Sequence, residues 1–199
     1  MLSPLSNPVF RKLFAAQLIA LLGTGLTTVA LALLAYDLAE GNAGGVLGTA
    51  LAIKMAAYVT ISPIAAAIVQ RLPRRIVLVV LDVARAAIVA GLVFVTEVWH
   101  IYALILLLQS CSAAFTPAFQ ATIPDVLPDE ATYTRALSLS RFAYDLESLV
   151  SPMLAAAALA IMGFSGLFAA NAAAFLVSAA LILSVTLPTR APVDHAGGF

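Results

Sequence analysis

Six runs of apolar residues divide the chain: Leu13–Tyr36, Val46–Val69, Ile76–Thr96, Ile101–Ile123, Ala136–Met162 and Leu167–Leu187. Each is close to the roughly 20 residues a helix needs to cross the hydrocarbon of a bilayer. The runs are continuous rather than alternating, which predicts helices and argues against the strands of a membrane barrel. Asn42, Gly44 and Gly45 form a turn between the first two runs, and Pro73, Pro124 and Pro128 are expected to break helices. The first run is too long for the core of a signal peptide, and no small-residue cleavage site follows it, so it is read as a retained helix. The pattern predicts an all-α membrane protein. Residues 1–12 form an N-terminal segment, 13–187 a six-helix transmembrane domain, and 188–199 a polar, disordered tail.

Composition narrows the class further. Of 199 residues, 63% are hydrophobic and 10% charged, against roughly 45–50% and about 25% in globular chains. A soluble domain of this size has no interior large enough for that much apolar surface. Ten basic and ten acidic residues cancel, so no global field draws the chain to nucleic acid.

The distribution of lysine and arginine predicts orientation. Arg11 and Lys12 precede the first run, Arg71, Arg74 and Arg75 lie between the second and third, Arg135 precedes the fifth, and Arg190 follows the sixth. The opposite loops, Asp37–Gly45, Glu97–His100 and Gly163–Gly166, contain neither residue. Both termini are therefore expected in the cytoplasm, with Trp99, His100 and Tyr102 at the outer interface. Gly44 and Gly48, and the Ala155–Ala158 patch, are expected to pack helices within one monomer.

Charges inside the spans are the main candidates for chemistry, since each costs at least about 2.5–3.5 kcal/mol on insertion scales. Six lie within or near them: Lys54, Asp82, Arg85, Arg141, Asp145 and Glu147. Asp82 and Arg85 share one helical face, as do Arg141 and Asp145. The first pair is expected near the cytoplasmic end, as a local structural pair tied to the basic loop before it. Lys54 has no acid in its own helix, so its partner is expected from another one, with Asp145 and Glu147 as candidates. Two readings stay open there, a proton-linked switch and a permanent structural pair. Gln17 and Gln109 are expected to line a cavity, and Thr24, Thr27 and Thr28 to serve packing. Pro117 and Pro152 mark kinks.

Other chemistries find little support. Gly163-Phe164-Ser165-Gly166 is similar to the serine motif of rhomboid proteases, but His100 and His195 are the only histidines and neither is placed to act as its base. One cysteine, Cys111, and two distant histidines predict no metal site, and no phosphate- or dinucleotide-binding fingerprint occurs. No cofactor and no enzymatic activity are expected.

A family resemblance accounts for the polar positions together. Ala66-x-x-Val69-Gln70-Arg71-Leu72-Pro73-Arg74-Arg75 resembles the G-x-x-x-D-R-x-G-R-R signature of major facilitator transporters. Arg71, Arg74 and Arg75 match it, while Ala66, Gln70 and Pro73 replace its first glycine, its acid and its second glycine. Phe14-Ala15-Ala16-Gln17, Leu81-Asp82-x-x-Arg85-Ala86, Phe115-Thr116-Pro117-Ala118-Phe119, Ile123-Pro124-Asp125 and Arg135-Ala136-Leu137-Ser138 follow in order. They resemble the drug:proton antiporter branch that includes macrolide and siderophore exporters. The fourth run departs from many of these antiporters in carrying Gln109 but no arginine.

The resemblance implies a half-bundle of two inverted three-helix repeats in a bacterial-type inner membrane, exporting a small amphipathic compound by proton antiport. Coupling would fall to Lys54, Asp145 and Glu147. The substrate cavity would be formed by Gln17, Gln109, Arg141 and Tyr144. A cytoplasmic gate would comprise Arg71, Arg74, Arg75, Asp82 and Arg85. Implied partners are the lipid bilayer, a small-molecule substrate, protons, and either a second copy or a second six-helix half that supplies the other wall. The alternative is a truncated or accessory membrane subunit without transport activity of its own.

Overall fold

The computed structural model describes residues 3–39, 41–69 and 72–187. They form six long helices: α1 (Pro8–Leu38), α2 (Ala43–Val69), α3 (Arg74–Gly91), α4 (Val98–Val126), α5 (Glu130–Leu159) and α6 (Phe164–Leu183). All six helical spans are long and apolar enough to cross a membrane. The expected disordered tail, with Arg190 and His195, lies outside the described residues, as do Gln70 and Arg71.

Every helix starts two to six residues before its apolar run, and at α1 and α5 the added turns are polar and capped by a side chain. At α1, Asn7 Oδ1 accepts from the N–H groups of Val9 and Phe10 at 2.9 and 3.2 Å, and Pro8 sits at the first helical position, where no N–H is needed. At α5, Asp129 accepts from the Thr132 N–H and hydroxyl at 2.9 and 2.7 Å. Those two donors, hydroxyl foremost, hold the exposed Asp129 carboxyl below the ordinary carboxylate range.

Some helices also end earlier than their apolar runs. α3 gives way at Gly91 to a short 3₁₀ turn, Leu92–Phe94, whose Leu92 is buried. Pro124, expected as a helix breaker, lies inside the last turn of α4. So close to the end of a helix, the missing N–H removes only one bond from a ladder already finishing.

The helices form an open arc, in the spatial order α5, α1, α6, α3, α4, α2, with those neighbours making the main contacts. Exchanging α1 with α4, α2 with α5 and α3 with α6 leaves that neighbour list unchanged. Because the members of each pair lie three places apart in the helix order, with two helices between them, they run in opposite directions. The fold is thus a half-bundle of two inverted three-helix repeats. α1, α3, α4 and α6 supply most of the core. Phe10, Leu13, Leu78, Phe119 and Ile182 pack at one end, and Leu34, Val89, Ile101, Phe168 and Phe175 at the other. α2 and α5 close the arc only at their edges and leave large apolar side chains uncovered, Val59 at 75% exposure and Leu149 at 73%.

Close helix approach occurs at α1 glycines rather than at Gly44 and Gly48, beside which lies open space. A Cβ on Gly23 would stand 2.8 Å from Ala174 Cβ of α6, and one on Gly25 would stand 2.0 Å from Ser151 Cβ of α5. Only a residue without a side chain allows these crossings.

One end of the bundle is laced by polar contacts. Asn7 Nδ2 donates to the Val126 carbonyl at 3.3 Å, and Arg74 pairs with Asp125 at 2.5 Å. Lys12 donates to the Ser184 carbonyl at 3.4 Å, and Arg75 to that of Leu183. Two cations thus meet the C-terminal carbonyls of α6, where the helix dipole favours positive charge.

Candidate functional site

The mouth of the arc, between α2 and α5, opens onto a cavity with three lobes. The largest, about 660 Å³, is lined by Lys54 and Tyr58 of α2, Thr116 of α4, and Ser140, Arg141 and Tyr144 of α5. The second, about 260 Å³, is more apolar, with Leu31, Leu47, Leu51 and Ile105 alongside Thr24 and Gln109. The third is a cleft of about 50 Å³ leading past Gln17, Tyr58 and Ser112 to Arg85. Lys54 lines all three and stands at their junction. Among the described residues it forms no ion pair.

Behind the cleft lies a fully buried charge pair. Asp82 and Arg85 of α3 are joined by a salt bridge at side-chain exposures of 0% and 6%. Ser178 of α6 donates to the other Asp82 oxygen at 2.7 Å. The Arg85 guanidinium lies between two aromatic faces, 4.1 Å from the Phe115 ring centre and 4.4 Å from that of Phe175. Desolvated cation–π contacts of this kind are worth up to about 2 kcal/mol. The Arg85 Nε remains without a hydrogen-bond partner.

The location of this pair corrects the sequence expectation. Asp82 and Arg85, expected near the end of the span beside the basic loop, stand partway along α3 instead. α3 begins at Arg74 and continues as helical turn to Phe94, so Asp82 stands about 12 Å along it at 1.5 Å per residue. Mid-helix placement brings Arg85 to the cavity. Arg74 and Arg75, in contrast, occupy the laced end of the bundle.

The other expected site residues divide by helix face. Gln17 is buried in the cleft and its Oε1 accepts from Ser140 at 3.1 Å. Gln109, Arg141 and Tyr144 line the cavity. Glu147 lies within the electrostatic reach of Lys54, where α5 crosses Gly25. Beside it Ser151 Oγ is buried without a hydrogen bond. Asp145 belongs elsewhere. It faces Arg141 at 3.8 Å, both side chains well exposed, along a second groove lined by α5 residues that shares Leu137 and Arg141 with the cavity. Two residues along a helix turn the side chain by about 200°, which separates Asp145 from Glu147. Glu147 is therefore the acid in the field of Lys54, with no ion pair between them, and Asp145 does not line the cavity.

Tyr58, Tyr133 and Ser140 line the cavity without having been singled out from sequence, and neither Ser178 nor Asn171 was anticipated. Asn171 of α6 is buried and donates to Thr27 of α1, bridging the same helix pair as the Gly23 crossing. The signal available was a polar residue in an apolar run, which is weak for serine and threonine because they satisfy themselves on their own backbone. Thr24, Thr116 and Thr122 do this by donating to the carbonyl four residues earlier.

A hydrophobic six-helix half-bundle with inverted repeats and a polar, cation-centred cavity defines a membrane transporter scaffold. Residues 13–198 match the Major Facilitator Superfamily, and the chain belongs to that family of transporters. It is an integral, multi-pass membrane protein and not an enzyme. It is 29% identical over 187 residues to an uncharacterized MFS-type transporter, YfiS, of Bacillus subtilis (strain 168). That alignment covers 89% of this chain and 44% of the relative, so the chain spans less than half of that protein's length. No solved structure matches the chain.

Proposed function

We propose that the chain forms one wall of a secondary transporter that exports a small amphipathic compound in exchange for protons. The observation that carries this reading is Lys54, a cation at the junction of three cavity lobes with no ion-pair partner among the described residues. A permanent structural pair has no need of such a gap, whereas a group that exchanges partners during a cycle does. Lys54 and Glu147 are the coupling residues in this reading. Asp145 contributes only if α5 rotates. Gln17, Gln109, Arg141 and Tyr144 contact the substrate. Arg74, Arg75 and Arg71 serve the gate, and the Asp82–Arg85 pair holds α3 and α6 behind the cavity.

The basic residues gathered at the laced end support a cytoplasmic position for both termini, and the antiporter-like motifs support a bacterial inner membrane. The open mouth between α2 and α5 is closed by a second six-helix unit, either another copy or another chain segment.

The test is accumulation of a panel of cationic, neutral and anionic amphipathic dyes in cells expressing the protein, with and without a protonophore. At least one dye is expelled, the protonophore abolishes the effect, and Lys54→Ala abolishes it while the protein remains in the membrane. Unchanged efflux in Lys54→Ala removes the coupling role, and no expelled dye removes the transport reading. Light-scattering mass of the solubilised complex, corrected for detergent, reports whether twelve helices assemble.

A further inference from the structure

Charge is distributed unevenly around the cavity. Its three lobes are lined by three cations, Lys54, Arg85 and Arg141, and among the described residues no aspartate or glutamate lines any of them. The acids nearby do not line it. Asp82 is paired with Arg85 and accepts from Ser178, Asp145 faces Arg141, and Glu147, within the field of Lys54, packs at the Gly25 crossing. Lys54 is thus the lining cation without an ion pair among the described residues. Neutral hydrogen-bonding groups, Tyr58, Tyr144, Gln17 and Gln109, surround the cations and can donate to an oxyanion. Arg85 lines the cleft, and its buried Nε has no hydrogen-bond partner.

The lobes also differ in what they accept. The 260 Å³ lobe is walled by four leucines, Ile105 and Ala50, with Thr24, Thr27, Thr28 and Gln109 beside them. The 660 Å³ lobe is wider and carries the tyrosines and Arg141. Lys54 stands where the two meet. A ligand with an apolar body and a single negative group would bury its body in the first lobe and leave its charge at the junction. Charge in a site of low dielectric is strongly discriminated by sign.

We infer that the cavity selects amphipathic anions, with a carboxylate, sulfonate or phosphate group held at Lys54 and an apolar body in the leucine-lined lobe. This rests on the reading of the cavity as a binding site and adds the sign of the ligand's charge. It is tested by equilibrium binding, which does not require transport.

The full chain in phosphatidylcholine nanodiscs is titrated with three probes sharing one fluorophore: dansylglycine (anionic), dansylamide (neutral) and dansylcadaverine (cationic). Dansylglycine is expected to bind at least about tenfold tighter than dansylcadaverine, the scale of one charge-assisted contact. Lys54→Gln removes most of that preference while leaving dansylamide unchanged, and Lys54→Arg retains it. A variant that merely misfolds loses all three probes, and Lys54→Arg then carries the comparison. Equal or tighter binding of the cation, or equal weakening of all three probes in a folded Lys54→Gln protein, overturns the inference. Repeating the titration with phosphatidylglycerol identifies the source of the anion. Competition from the lipid assigns the site to a headgroup, and undiminished dansylglycine binding assigns it to a free solute; both retain the selection for anions. Anion selectivity in a protein that expels no dye would separate this inference from the transport reading.

Discussion

Gly25 is where the architecture is least tolerant of added mass. A methyl group there would lie 2.0 Å from both Cβ and Oγ of Ser151 and 2.9 Å from a Glu147 carboxylate oxygen. The Glu147 oxygen ends a flexible side chain and can move. Ser151 Cβ is fixed to the α5 backbone and cannot. Ordinary carbon–carbon contact is about 3.5 Å, so Gly25→Ala must push α1 and α5 apart by about 1.5 Å. Overpacking of this kind costs about 1–3 kcal/mol. At about 2–4 °C per kcal/mol for a chain of this size, the apparent Tm in detergent should fall by roughly 2–12 °C. Fluorescence of the single tryptophan, Trp99, provides the readout. The reasoning makes a sharper demand as well. Ser151→Gly removes both obstructing atoms, so Gly25→Ala/Ser151→Gly should recover most of the loss despite adding a helical glycine, itself worth about 0.5–1 kcal/mol. A Gly25→Ala protein as stable as the parent, or a double variant no better than Gly25→Ala, would refute this account of the crossing.

Three further outcomes follow from the charged groups. Asp82→Asn leaves the buried Arg85 uncompensated and should destabilise the protein by about 3–5 kcal/mol, whereas Asp82→Leu/Arg85→Met should be far milder; thermal unfolding of the two variants checks this, and equal losses would contradict it. A double-mutant cycle of Arg74→Ala and Asp125→Ala should give a coupling of about 1 kcal/mol, and zero coupling would show that the bridge does not hold α3 to α4. The Asp129 cap depends on its charge. Because its folded carboxyl lies below the ordinary value, the cap is complete above the ordinary aspartate range and is lost as pH falls through the lowered one. Hydrogen exchange at Thr132 and Tyr133, corrected for intrinsic rates, should lose protection on acidification, and a pH-independent first turn of α5 would count against the cap.

The six spans were legible because an apolar run of bilayer length has few other interpretations. Their starting points were not, since Asn7, Asp129 and the polar turns after them belong to helices for reasons of capping rather than hydrophobicity. Lys54 was conspicuous as a lone charge in an apolar run, and the cavity is centred on it. Its surroundings depended on tertiary packing. Helical spacing established that Arg141 and Asp145 share a face, but not that this face turns outward at Asp145. Spacing likewise paired Asp82 with Arg85 without indicating Phe115, Phe175 and Ser178, which come from two other helices. The glycines expected to mediate packing lie on the open side of α2, while the functional crossings use Gly23 and Gly25. Small residues are common in membrane helices, and only the position of the neighbouring helix distinguishes them.

The Asp82–Arg85 pair has a consequence for how the protein is made. Helices emerge from the ribosome one after another, and α3 reaches the lipid before α4 and α6, which carry Phe115, Phe175 and Ser178, have emerged. Its two charges lie three residues apart and already satisfy each other, so the segment carries its own neutralisation into the bilayer and can wait for α4 and α6 to arrive. Lys54 in α2 brings no counter-charge of its own, and the carboxylate nearest its field is ninety-three positions downstream. The lysine that makes the cavity selective is therefore also the group that must be tolerated longest, unpaired, during assembly.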